Sequence, residues 1–482
     1  MLSAVLVFAV ALMSPAPGAV TPGPSGSSPP AAAPPLASPS ASPLPSASAS
    51  PAATPTPKPE LFSYHAQVTN TQQYHGGFRA PYSGPNSLYP LPDTAKTVDA
   101  TLFAGARLWK GGEFYINPEI DQGFGLGQPS EPGLPYAGTL GAAGYVSGEA
   151  YKVGRDSSYG RIQRAFVRQV FDFGGDPQSV DPVINQLGGS ITPKNLIVTA
   201  GKFSVVDVFD NNPYAHDPKN DFFNWSLIDM GCFDYAADAW GYTYGASAEL
   251  SDARSTLRAG AFQLSLVPNQ IAIEKTPFDE YMSVIEFERR TSLFGGHPGA
   301  IKALVYDDVG YMGAYADALD AVAGTFLPPN TANVRQDKHV KIGEGINIAQ
   351  EIVDNVGVFA RLSAMNGTYE AYEFSDIDRA ASFGLSLDGH LYHRPNDQFG
   401  IAGSFNAISG IAQRYFAAGG LGILVGDGSL QYGGEHILET YYKAGFTKYF
   451  GLTFDYQYLT NPSYNTSRGP VSVFGLRYHA EI

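Results

Sequence analysis

From Glu60 to its last residue the chain alternates apolar and polar side chains in runs broken by Gly, Pro, Asn and Asp. In an extended strand, period two sends successive side chains to opposite faces. Phe62, Tyr64, Ala66 and Val68 alternate with Ser63, His65, Gln67 and Thr69. Val98, Ala100, Leu102, Ala104, Ala106 and Leu108 alternate with Asp99, Thr101, Phe103, Gly105 and Arg107. The same reading puts Phe114, Ile116 and Ile120 on one face, and Tyr242, Tyr244, Ala246, Ala248 and Leu250 on another. Leu452, Phe454, Tyr456 and Tyr458 make a further set, and Phe474, Leu476, Tyr478, Ala480 and Ile482 carry the pattern to the end.

The connections between runs have their own rhythm. Short ones at Lys110–Gly112, Ser251–Arg254, His393–Asp397 and Thr447–Lys448 alternate with long ones near 71–96, 122–160, 207–238, 309–338 and 409–432. Short turns on one rim and long loops on the other describe a transmembrane antiparallel up-and-down β-barrel. The count is about 16 strands, with 255–350 open to fourteen or eighteen, and both termini on the periplasmic side. No run of 18 apolar residues exists, so the membrane is not crossed by a helix. A closed barrel is the other way to pair every backbone group in lipid. A soluble sandwich would need a second core pattern or a domain linker across this length, and neither is present.

Two segments precede the barrel. Residues 1–19 read as a secretory signal peptide, with an apolar core from Ala4 to Met13 and small residues from Ala16 to Ala19, though without a basic start. Residues 20–59 are nearly all Pro, Ala, Ser and Thr, a composition that buries no core and reads as a disordered tether able to touch the cell wall. The net charge of −15 argues against nucleic acid as partner. Cys232 is the lone cysteine, so no internal disulfide forms. Metalloprotease, phosphate-loop and nucleophile-elbow signatures are absent, so no enzyme, cofactor or metal is expected. The run Gly420 to Gly426 has the wrong spacing for a dinucleotide site and reads as a turn and strand end.

An ordered set of motifs resembles the carbohydrate-selective porin (OprB) family. It begins with Tyr82 to Leu88 (YSGPNSL) and passes through Thr101, Gly105, Arg107, Leu108, Trp109, Asn117, Pro118, Glu119, Gly123 and Gly125. It continues with Gly144, Gly148 to Ala150, Lys152 to Gly154, Arg168 with Gln169, and Gly201 to Phe203. Asp207, Phe209 with Asp210, Asp217 with Pro218, and Phe223 to Trp225 follow. Gly426 to Gly428, Glu435, Leu438 with Glu439, Tyr441 with Tyr442, Asp455 to Tyr458, Asn461 with Pro462, and Arg468 to Pro470 close the set. The resemblance runs from about residue 62 to the end and implies passive sugar uptake through an outer-membrane porin. Outer-membrane lipid and the barrel-assembly machinery would then be its partners, as a monomer or a homotrimer. The Pro-rich tether and the non-aromatic last residue, Ile482, depart from the family pattern.

Face parity nominates pore-lining charges, because a charge facing lipid at the midplane costs about 2–4 kcal/mol. The candidates are Arg107, Glu113, Glu119, Arg164, Arg168, Arg361, Glu439, Asp455 and Arg477, with His479 and Glu481 on the same face as Arg477. The segment around Asp207, Asp210, Asn211, Asp217 and Trp225 is expected to fold inward as a constriction, with plain turn chemistry as the alternative. Guanidinium and carboxylate groups hydrogen-bond hydroxyls, and aromatic faces stack on sugar rings. Walls of both signs would favour small neutral sugars over ions. The competing expectations are a general or anion-leaning channel, a closed structural barrel or adhesin, and a secreted carbohydrate-acting β-protein.

Overall fold

The computed structural model describes residues 59–127, 141–149 and 154–482. The expected signal segment, the tether up to residue 58, and Ala150, Lys152 and Val153 of the motif set lie outside the described residues. Eighteen strands follow in chain order: β1 (Phe62–His75), β2 (Asp93–Trp109), β3 (Gly112–Gly123), β4 (Arg155–Gly174), β5 (Gln178–Val180), β6 (Gly189–Ile191), β7 (Lys194–Phe203), β8 (Thr243–Ser251), β9 (Ser255–Gln263), β10 (Tyr281–Leu293), β11 (His297–Tyr311), β12 (Lys338–Val353), β13 (Val356–Met365), β14 (Arg379–Asp388), β15 (Gln398–Ala407), β16 (Glu435–Thr447), β17 (Phe450–Thr460) and β18 (Val471–Glu481). All but β5 and β6 form one closed antiparallel barrel of sixteen strands, sealed where β1 pairs with β18. The segment that allowed several counts is resolved into β9 to β12.

The outer wall is apolar, as lipid requires. Phe62, Tyr64, Leu102, Ile120, Ile285, Phe383, Phe454 and Phe474 are all exposed on it. Aromatic residues gird both rims: Trp109, Phe173, Phe294 and Tyr449 lie at the turn rim, and Tyr74, Tyr244, Tyr311 and Tyr458 at the loop rim. The inner face carries the polar partners of the alternation. Thr69, Asp99, Thr101, Asn117, Glu119, Glu286, Arg361, Glu439, Gln457 and Arg477 are all buried.

Three expectations need correction. Alternation groups Tyr242 on one face with Tyr244 and Leu250, which are exposed, but Tyr242 precedes β8 and is buried in the lumen beneath Arg161 and Arg164. Gly420 to Gly426 forms no strand end; it belongs to the loop between β15 and β16, where Asn86 Nδ2 ties it down by donating to the Gly422 and Val425 carbonyls. The turn rim is also not uniformly short. The β4–β7 connection, residues 175–193, contains the small β5–β6 hairpin. Its polar, Pro-containing sequence carries no strand-length alternation, so periodicity alone gave no signal for it.

Short helices hold the connections together: α1 (Trp225–Ile228) lies in the lumen, while α2 (Tyr315–Ala321) and α3 (Gly410–Ala417) pack on each other at the loop rim. Tyr315 of α2 sits 4.7 Å from the Tyr415 ring of α3. Many motif residues meet here. Glu435 accepts from the amides of Ala143, Gly144 and Ser463, and Arg468 donates to the carbonyls of Tyr82 and Leu88.

Candidate functional site

The lumen is crossed by residues 204–242, which leave β7, enter the barrel and return to β8. The sequence explains why this loop goes inward. It alternates carboxylates and amides with Phe209, Phe222, Phe223, Trp225, Leu227 and Ile228, all of which are buried. An exposed loop would leave these apolar groups in water. Inside, they pack against Tyr441, Phe359 and Phe262 of the inner wall.

Polar groups of the wall hold the loop from nearly every direction. Arg361 on β13 is buried and donates to Asp210 Oδ1 at 3.1 Å and to the carbonyls of Leu227 (2.7 Å), Ala215 (2.8 Å) and Ile228 (3.1 Å). Glu439 on β16 accepts from the amides of Phe223 (2.5 Å) and Asn224 (3.0 Å). Arg477 on β18 donates to the carbonyls of Pro218 (2.7 Å) and Asp221 (3.0 Å) and stacks on Phe223. Glu286 on β10 receives the Asp210 amide, and Lys302 on β11 donates to the Asn211 carbonyl. Asn224 caps α1 and also donates to Gln457 beside Asp455. Four of the predicted lumen residues, Arg361, Glu439, Arg477 and Asp455, therefore serve this loop.

The loop's own candidates divide by role. Asp210 is the buried counter-charge of Arg361 and also receives the Met230 amide. Asp207 forms a two-pronged pair with Arg164 of β4, both contacts at 2.6 Å. Asp217 receives the Lys219 amide and the Asn220 side chain, which is local turn chemistry. Asn211 offers its carbonyl to Lys302, while Trp225 stacks on Tyr145 and meets Tyr235 and Phe374 edge-on or tilted.

Arg107, Glu113 and Glu119 share one face, yet they do not form one cluster. Arg107 pairs with Glu113 at 3.0 Å near the turn rim. Higher up, Glu119 joins Arg161 (2.7 Å), Asp121, Lys219, Asp99 and Glu149. Arg168 donates to the Asn185 carbonyl and lies over the Tyr115 and Phe166 rings. Parity counted from Arg164 missed Arg161, for a structural reason. Asn117 pairs with Arg164 and Pro118 with Ile162, leaving Gln163 as the extra residue of a bulge. The bulge sits where Pro118 can donate no ladder hydrogen bond, so the proline was the available signal. Arg161 and Arg164 consequently both face inward, with their guanidinium groups 5.2 and 5.0 Å from the Tyr242 ring, and Arg161 also faces Trp240. Sequence reasoning also passed over Arg258, which binds Glu249, Glu286 and Glu288, and Lys341, which meets Asp234 at 3.1 Å.

Residues 86–481 match the family model of the carbohydrate-selective porin, OprB family. The chain belongs to that family. Among solved structures, the OprB of Pseudomonas putida, in its high-pH structure, aligns with a TM-score of 0.64 at 15% identity, covering 88% of this chain and 94% of that one. The outer membrane channel DcaP of Acinetobacter baumannii aligns with a TM-score of 0.48 at 10% identity over 87% of this chain and 97% of that one. Porin AaxA of Chlamydia muridarum is 26% identical over 152 residues, which is 32% of this porin and 29% of that relative. The first likeness shows the shared sixteen-stranded fold. Family and fold together are those of a bacterial outer-membrane channel.

Proposed function

We propose that this porin lets small neutral sugars diffuse passively along the β3–β4 wall, beside the inserted 204–242 loop. The observation that carries the reading is the make-up of that wall. Arg161 and Arg164 are each fixed against carboxylates and over the Tyr242 ring. Paired charges present hydrogen-bonding groups of both kinds with little net field, so an ion gains little there while a hydroxyl-rich solute finds donors and acceptors. Side-chain exposure of 14% for Arg164 and 17% for Asp207 leaves this pair accessible, unlike Arg361 or Glu439. The planar guanidinium can engage two hydroxyls at once, and weak binding permits release.

In this reading the short turns and both chain termini face the periplasm, outer-membrane lipid surrounds the apolar wall, and the assembly machinery inserts it. A closed structural barrel is the second reading, favoured by the unbroken burial of residues 221–239. Reconstitution separates the two. Liposomes should swell in small sugars while ion conductance stays low. No swelling together with no conductance supports the closed barrel, and high conductance without swelling supports an anion-leaning channel.

A further inference from the structure

The turn-side connection is an insert as well. The β5–β6 hairpin bends at Val183–Gln186, where Asn185 adopts a left-handed conformation (φ 55°) suited to its short polar side chain. Its tip points up the barrel, not into the periplasm. Asn185 Oδ1 accepts from Asn117 Nδ2 at 2.9 Å, and its carbonyl accepts from Arg168 at 3.0 Å. Asn117 is five residues along β3 from Gly112, so the tip reaches roughly 16 Å of strand above the rim at about 3.3 Å per residue. Leu187 is buried in the same apolar cluster as Tyr115, Phe203 and Phe209, and its amide donates to the Tyr115 hydroxyl at 3.0 Å.

A second set of contacts ties the hairpin to the place where the chain enters the barrel. The Glu60 amide donates to the Gly188 carbonyl, and the Gly188 amide donates to Glu60 Oε2, both at 2.9 Å. Arg107 clamps this join: Nε donates to the Glu60 carbonyl at 3.0 Å and Nη2 to the Gly188 carbonyl at 3.3 Å, while Nη1 pairs with Glu113. Among the described residues, the hairpin's hydrogen bonds run to β2, β3, β4 and the entry segment. None carries a buried counter-charge of its own.

We propose that this hairpin is a strap over one side of the turn-side mouth, latched by Glu60, so that the chain's entry into the barrel sets how far the mouth is open. The proposal rests on the channel reading above. Glu60 stands two residues before β1, so the latch lies where the chain enters the barrel.

The test uses the full chain in planar bilayers. Gly174 and Lys194 pair across the ladder, so an Asn-Gly turn can replace residues 175–193 without altering register. A Cβ placed on Gly188 would lie 3.5 Å from Glu60 Oε2, so E60C with G188C places two thiols at the latch, and the native Cys232 is buried away from it. The excised channel should conduct more than the wild type, by on the order of two-fold for one of two constrictions in series. The oxidised double-cysteine channel should lose open-level fluctuations and conduct less than its reduced form, with the crosslink confirmed by peptide mapping. Equal conductance and sugar flux in locked and reduced channels would overturn the latch, even if excision widens the pore. Wild-type conductance after excision would overturn the strap as a whole. Absence of conductance in every form, the excised one included, would overturn the channel reading and the strap with it.

Discussion

Two of the segments folded into this barrel are held by different physics. The loop-side insert, residues 204–242, is gripped from β4, β10, β11, β13, β16 and β18, and its principal anchor is a buried charge pair between Asp210 and Arg361. The turn-side insert, residues 175–193, leans on one wall and the chain entry, chiefly through hydrogen bonds to Asn185, Leu187 and Gly188. Breaking one member of a buried ion pair costs about 3–5 kcal/mol, whereas a single hydrogen bond contributes about 0.5–1.5 kcal/mol. The loop is therefore built as fixed architecture and the hairpin as a part that can move.

The sharpest way to break that contrast is Arg361→Met. It keeps much of the side chain's volume but leaves Asp210 buried without its guanidinium. The expected loss is about 3–5 kcal/mol of loop docking, with the barrel intact, because Arg361 lies inside and touches no lipid. Limited proteolysis should then cut within 204–242, and conductance should rise. A loop that stays protected would mean that Glu439 and Arg477 suffice without it.

Next in size is a test of which face is which. Leu476 lies mid-strand on the lipid side of β18 and Arg477 faces the lumen. Leu476→Arg should reduce insertion, costing about 2–4 kcal/mol. Arg477→Leu should insert normally yet free the 218–221 segment from its two carbonyl contacts. Heat-modifiability on gels measures the first effect and hydrogen exchange the second; the reverse ranking would place β18 out of register.

These faces were legible in the sequence because alternation survives wherever one side meets lipid. The pairing of inward residues was less legible. Arg107 with Glu113 follows from a tight turn between adjacent strands, but Arg361 with Asp210 joins residues brought together only by a loop turning into the lumen, and no periodicity encodes that return. Arg161 was lost to a single bulge residue, Gln163, which shifts parity for everything before it. The 175–193 hairpin was missed for the opposite reason: its tip has no strand pattern, and its partners Asn117 and Arg168 look like ordinary lumen positions.

The loop end also sets a pH expectation. Asp376, in the connection between β13 and β14, is desolvated by burial, which pushes its carboxyl up to about 7 although it accepts the Ile423 and Leu424 amides. The folded form thus holds a proton that the unfolded chain releases near 3.8. Docking of the 408–434 loop should be strongest below that value and weaken as pH rises toward about 7, then level off. Exchange at the Ile423 and Leu424 amides, corrected for intrinsic rate, should be faster at pH 8 than at pH 5, and Asp376→Asn should flatten the difference.

The smallest effect belongs to Arg164, which sits between the two inserts. Its pair with Asp207 is partly open to the lumen, so water can still reach a charge left without its partner, and the loss costs less than at the Asp210–Arg361 pair. Loss of the pair should barely loosen the loop, since Arg361 and Glu439 remain. Its value to passage is geometric: the planar fork holds Asp207 by two parallel hydrogen bonds and Nη1 donates to Gln163, which leaves one N–H on each Nη for hydroxyls. Arg164→Lys keeps the charge and removes the fork. Sugar block of ion current should weaken by a few-fold in this variant while open conductance and loop protection stay near wild type. Should block persist unchanged in Arg164→Lys but fall in the hairpin-excised channel, the sugar contact lies at the turn-side insert and the β3–β4 wall acts only as a brace.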